Sequence, residues 1–123
     1  MQKVLVVIDM QNDFVDGALG STQAQMIVDN VRKKIESFDG PIIFTRDTHG
    51  IDYLERQEGK MLPVPHCVKN TEGWHIVKGL IEAAENRPIM SPVFFVDKPN
   101  FGSFELLSRL EGMNSINPIE SIT

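Results

Sequence analysis

Three short apolar runs, each stopping at an ionisable residue and separated from the next by a helix-length stretch, restrict this chain to a narrow set of folds. Val4-Leu5-Val6-Val7-Ile8 stops at Asp9, Pro41-Ile42-Ile43-Phe44-Thr45-Arg46 at Asp47, and Val93-Phe94-Phe95-Val96-Asp97 at Lys98. Continuous β-branched runs read as strands of a parallel sheet joined by crossover helices. Strands connected in that way all point in one direction, and their carboxyl ends form the edge where ligands usually bind. Two carboxylates and an ammonium, far apart in sequence, are therefore expected in one crevice.

The intervening segments support a strand–helix–strand alternation. Gln11 to Gly20 reads as a polar loop, and Thr22-x-x-Gln25 as a capping box. Ala24, Ile27, Val28, Val31, Ile35 and Phe38 then recur at helical spacing until Asp39-Gly40. Trp74, Val77, Leu80, Ile81 and Ala84 predict a second helix ending at Arg87-Pro88. Phe104, Leu106, Leu107 and Leu110 predict a third, capped by Ser103. Ile119 to Thr123 read as the beginning of a fourth strand. Between Asp47 and Glu72 no period is sustained, and this stretch holds two of the three histidines and the single cysteine. Loops of that length are functional or disordered, and the histidines favour the first.

A chain of 123 residues fits one domain with a modest core, so residues 1–123 are read as a single α/β unit. The formal net charge of −5 argues against a general nucleic-acid surface. One cysteine excludes an intrachain disulfide and points to a reducing compartment, so a cytoplasmic location is expected. No run approaches the roughly 18 apolar residues of a membrane span, and no membrane partner is expected. A sheet of three strands and a stub exposes an edge. We therefore expect a domain incomplete at its C-terminus, the alternative being completion by another chain in a homo-oligomer.

Asp47-Thr48-His49 with His66 forms the clearest metal signal. Two ligands one residue apart in extended backbone can face the same side, and a third from the later loop closes one face of an ion. A carboxylate with two imidazoles suits Zn²⁺, Mn²⁺ or Fe²⁺ and leaves coordination positions open. Glu58 offers a further oxygen from the same loop. The plainer alternative is a set of solvated loop residues, because Asp-x-His arises readily by chance. Asp9 and Lys98, at the ends of different strands, form either a structural ion pair or a base with its electrostatic partner. Neither is a nucleophile. Cys67 is expected to pack as a small apolar side chain, since neighbouring extended residues point apart and His66 is badly placed to activate it. His75 reads as a surface or packing residue, and Phe101 and Phe104 as core. Phe14, just beyond Asp9, suits either the core or the wall of a flat pocket.

Val6-Val7-Ile8-Asp9-Met10-Gln11-Asn12-Asp13-Phe14 resembles the opening of the isochorismatase-like cysteine hydrolases. Thr45-Arg46-Asp47-Thr48-His49, Leu62-Pro63-Val64-Pro65-His66-Cys67 and Thr71-Glu72-Gly73-Trp74 resemble the nicotinamidase branch. Lys98-Pro99-Asn100-Phe101-Gly102-Ser103-Phe104 is similar to its lysine motif. The resemblance implies a Rossmann-like three-layer αβα fold around a parallel sheet. It also implies an Asp-Lys-Cys triad that cleaves a small carboxamide, such as nicotinamide, to an acid and ammonia through a thioester. By this resemblance Asp9 is the proton-accepting base and Lys98 its partner. Asp47, His49 and His66 match the metal ligands, zinc first among the candidates, with Glu58 an extra ligand of some members and Phe14 an aromatic wall.

The same resemblance places the nucleophilic cysteine after the fourth strand, on a turn that also supplies the oxyanion hole. Cys67 does not match it, so the nucleophile is expected beyond Thr123 and the 123-residue chain alone is expected to be inactive. Two other functions compete with the amidase. One is a vinyl-ether hydrolase acting on isochorismate, against which the Asp-x-His and His set argues. The other is a non-catalytic binding or assembly module without the nucleophile.

Overall fold

The structure, a computed structural model, describes residues 1–88, 90–99 and 104–123. Strand β1 (Gln2–Ile8) leads through a short helix α1 (Asn12–Val15) into helix α2 (Thr22–Ser37). Strand β2 (Ile42–Asp47) opens the long loop, which contains a 3₁₀ turn (Tyr53–Glu55), helix α3 (Gln57–Met61) and a second 3₁₀ turn (Glu72–Trp74). Helix α4 (Lys78–Glu85), strand β3 (Val93–Lys98), helix α5 (Phe104–Ile116) and strand β4 (Ile119–Ile122) follow.

The strands form one parallel sheet in the order β3-β2-β1-β4. The chain winds outward from β1 to β3, then returns to the other side of β1. Such a reversal of direction marks the crevice where open α/β sheets bind ligands. Side-chain alternation divides the core in two. Leu5, Val7, Ile42 and Phe44 face α2 and α4, where Ile35, Phe38, Leu80, Ala83 and Ala84 cover them. Val4, Ile43 and Val96 face the opposite side, against Leu106, Leu110 and Met113 of α5. The expected three-layer αβα arrangement is present.

Several local expectations differ from the structure. Ser21, not Thr22, caps α2, its hydroxyl accepting the Ala24 N–H at 3.0 Å. The segment after β1 contains a helical turn rather than loop alone. Trp74 precedes α4 in a 3₁₀ turn, because Gln11 and Ile76 form a bridge that holds the chain extended there. Ser103 and Phe101 lie outside the described residues. Among the described residues no helix is long and apolar enough to cross a membrane.

At the amino edge Arg87 is buried and acts as a staple. One guanidinium nitrogen donates to the carbonyls of Phe38 and Gly40, each at 2.8 Å, and another to Ser91 at 3.2 Å. Gly40 must be glycine, since a Cβ there would lie 2.4 Å from the Lys3 carbonyl oxygen. The staple thereby ties the segments leading into β2 and β3 together.

Candidate active site

Asp9 leaves β1 in a left-handed conformation, φ 52°. A residue with a Cβ adopts it at a cost of about 1–2 kcal/mol, so the surrounding contacts must hold it there. They are supplied by β2 and β3. The Asp9 N–H meets both the carbonyl oxygen and Oγ1 of Thr45, each at 3.1 Å. The Thr45 hydroxyl donates to Asp9 Oδ1 at 2.7 Å, and Lys98 Nζ donates to Oδ2 at 2.7 Å. Both carboxylate oxygens are thus engaged. The Lys98 side chain is only 9% exposed and that of Asp9 22%, so the ammonium has exchanged nearly all its water for this partner.

Asp47, the last residue of β2, is the register partner of Lys98 and lies two residues along the same face from Thr45. A short parallel bridge beyond it, His49 to Val68, stitches the later loop to this strand end. The His49 N–H donates to the Cys67 carbonyl and the Lys69 N–H to the His49 carbonyl, each at 2.9 Å. That stitching brings His66 into place. Asp47 Oδ2 is 3.0 Å from His49 Nε2 and 3.5 Å from His66 Nε2. Among the described residues these three offer ligand atoms all within 4.8 Å of one another.

The outer contacts of both rings favour a cation between them. His66 Nδ1 donates to the Val64 carbonyl at 2.7 Å, which leaves Nε2, facing Asp47, as the nitrogen that could take a metal. His49 Nδ1 lies 3.4 Å from Glu58 Oε2, on the opposite side of the ring from Asp47. Metal-binding imidazoles commonly have their second nitrogen held by a carbonyl or carboxylate, as the Val64 carbonyl holds that of His66, while Glu58 stands near that of His49. The donor set fits one divalent metal ion, with Glu58 standing behind His49 rather than among the three converging atoms. Tyr53 packs edge-on against both rings, its centroid 4.8 Å from His49 and 5.0 Å from His66, and its hydroxyl donates to the Leu62 carbonyl. Burial and the charges of Glu58 and Asp47 push the Tyr53 hydroxyl pKa above its ordinary value. Phe14 meets the His66 ring at 5.5 Å.

Cys67 is fully buried, and burial, with the nearby carboxylates of Asp47, Asp13 and Asp9, pushes its thiol pKa far up. A nucleophilic cysteine needs thiolate character, which this environment opposes. The backbone at Cys67 is left-handed, φ 49°, and not extended as the sequence reading assumed. His75 is exposed, and Phe104, expected in the core, is 91% exposed. Asn100 to Ser103 of the lysine motif lie outside the described residues.

The sequence reading passed over three residues that organise the site. Thr45 interrupts an apolar strand, and a hydroxyl there signals that a polar partner lies alongside. Gln11 is completely buried and binds both peptide groups of Asp47. Asp13 accepts the Cys67 N–H at 2.8 Å. For the last two, only a polar side chain next to a strand end could have given notice.

Comparison with known proteins places this arrangement in a family. Nicotinamidase from Saccharomyces cerevisiae is 25% identical over 83% of this chain and 62% of its own length. The chain spans about three fifths of the length of the curated relatives it matches. The crystal structure of nicotinamidase/pyrazinamidase PncA from Bacillus subtilis superposes with a TM-score of 0.74 at 27% identity, covering 99% of this chain and 69% of that one. Pyrazinamidase of Pyrococcus horikoshii in complex with zinc does so with a TM-score of 0.66 at 27% identity, covering 99% and 68%. The isochorismatase domain matches residues 3–114, and the chain belongs to that family.

Proposed function

We propose that this chain carries the base, the counter-charge and the metal-binding part of a nicotinamidase-type amidohydrolase, which cleaves a small carboxamide to its acid and ammonia. The observation that carries this reading is the presence of two constellations at one sheet edge. The Asp9–Lys98 pair closes at 2.7 Å beside the Asp47, His49 and His66 cluster. The nicotinamidase and pyrazinamidases among the relatives support an amide as substrate.

In this reading a cysteine thiol attacks the amide carbonyl carbon and its proton passes to Asp9. The C–N bond breaks, and Asp9 returns the proton to the departing nitrogen, which leaves as ammonia. Water then cleaves the thioester; Asp9 takes its proton and returns it to the departing cysteine sulfur, releasing the acid. Lys98 keeps a positive charge 2.7 Å from the carboxylate that must receive it. Cys67 is not the attacking atom, because it is buried and its ionisation is opposed. Among these 123 residues we assign neither a nucleophile nor oxyanion donors.

Asp47, His49 and His66 would hold a divalent metal, which we assign as zinc given the zinc complex of the Pyrococcus horikoshii relative. Bound there, the metal supplies a Lewis-acid anchor for a ring nitrogen of the substrate. Glu58 orients His49, and Phe14 walls the substrate side of His66.

Ammonia release from nicotinamide by the zinc-loaded full-length natural protein tests the reading. Asp9→Asn is expected to lower turnover about 10³-fold, the scale of losing a general base. Turnover by Asp9→Asn equal to the unaltered protein would overturn it.

A further inference from the structure

We propose that Gln11 and Asp13 are positioning residues of the metal centre, each gripping the backbone of one ligand-bearing segment. The inference rests on the metal reading given above. Gln11 lies two residues beyond Asp9 and is wholly buried. Its Oε1 accepts the Asp47 N–H at 2.8 Å, and its Nε2 donates to the Asp47 carbonyl at 2.8 Å and to the Trp74 carbonyl at 2.8 Å. The pairing of β1 with β2 ends at Ile8 and Thr45, so Asp47 has no strand partner on that side. The Gln11 carboxamide stands in for one. It binds both peptide groups of a single residue and thereby sets the direction in which the Asp47 carboxylate leaves the strand.

Asp13 does the same for the second segment. Its Oδ2 accepts the Cys67 N–H at 2.8 Å and its Oδ1 the Ala18 N–H at 3.2 Å. Cys67 has φ 49°, a backbone conformation that persists only where its surroundings enforce it. The peptide joining His66 to Cys67 carries this N–H, so the same bond fixes where the imidazole begins. Gly73 closes the far side, since a Cβ there would fall 2.2 Å from the carboxylate atoms. The carboxylate is wedged between the Cys67 amide and the Gly73 backbone. A single stretch of chain, Asp9 to Asp13, therefore presents the base and also registers two of the three proposed ligands against it.

A packing role alone would make these residues matter for stability, whereas positioning makes them matter for the bound ion. The test is Co²⁺ binding to the full-length natural protein, read by chelator competition and by the visible absorption of the bound ion at saturation. Gln11→Met removes all three contacts. Asp13→Asn sets an amide N–H against one of two backbone donors. Gly73→Ala retains every hydrogen-bonding group and adds only a methyl that must displace the carboxylate. The core variant Ile35→Val, far from the cluster, controls for lost stability.

Each of the three variants is expected to weaken Co²⁺ binding about tenfold or more and to alter the absorption at saturation, while Ile35→Val does neither. Unaltered affinity and absorption in the three variants, or an equal loss in Ile35→Val, would overturn the inference and leave the metal reading standing. No Co²⁺ binding by the unaltered protein overturns the metal reading and the inference with it, and the unaltered protein alone reports that outcome.

Discussion

Replacing Lys98 with methionine keeps the length and bulk of the side chain and removes only its charge and donors. Asp9 is then left with a single side-chain donor, the Thr45 hydroxyl, at a carboxylate only 22% exposed. Removing one partner of a fully buried pair costs about 3–5 kcal/mol. Water reaching Asp9 offsets part of that, so the expected loss is about 2–3 kcal/mol. Asp9→Asn alone strands the ammonium, whose side chain is 9% exposed, and is expected to cost a similar amount. The double variant leaves two neutral groups in contact and is expected to be milder than the sum by about 2 kcal/mol. Urea denaturation of the four proteins at pH 7 with chelator present measures this coupling directly. A coupling below about 0.5 kcal/mol, or one abolished by 1 M salt, would mean that the pair behaves as an exposed surface contact, and would refute the reasoning.

Cys67 provides a test against pH. Its raised thiol pKa keeps it protonated in the folded chain, whereas an unfolded thiol ionises near pH 8.5. Its contribution to stability is therefore present below about pH 8.5 and lost progressively above it, and Cys67→Ala is expected to flatten that alkaline decline. Rapid labelling of Cys67 in the native protein, followed by peptide mass spectrometry, would contradict its assigned burial. Glu58→Gln is expected to weaken metal binding about tenfold, as loss of an outer partner of His49 does, whereas complete loss would make Glu58 a ligand.

The sheet was legible because its central strands β1 and β2 are largely buried and so spell apolar runs. Val93 to Lys98 was found with its boundaries intact. The meeting of Asp9 with Lys98 followed from topology alone, since parallel strands share their carboxyl edge. The interior of the long loop was not legible. Its two 3₁₀ turns and the five-residue α3 are too short to show a period. Tyr53 is set by its contacts with His49 and His66, which become visible only after folding. The left-handed turn at Cys67 also escaped, because cysteine carries no preference for it and the Asp13 carboxylate that holds it comes from a distant segment.

The Arg87 staple has a consequence for how such a frame can change over evolutionary time. It ties the end of α2, the approach to β2 and the approach to β3 through three main-chain oxygens, which no substitution along those segments removes. Side chains around it can drift while the spacing of the strands is kept. The opposite edge uses the same device, since Gln11 and Asp13 also grip backbone, but the backbone held there carries the proposed metal ligands, and a single replacement alters what the site can hold. Inheritance of the scaffold and innovation in its chemistry are thus assigned to opposite ends of the same four strands.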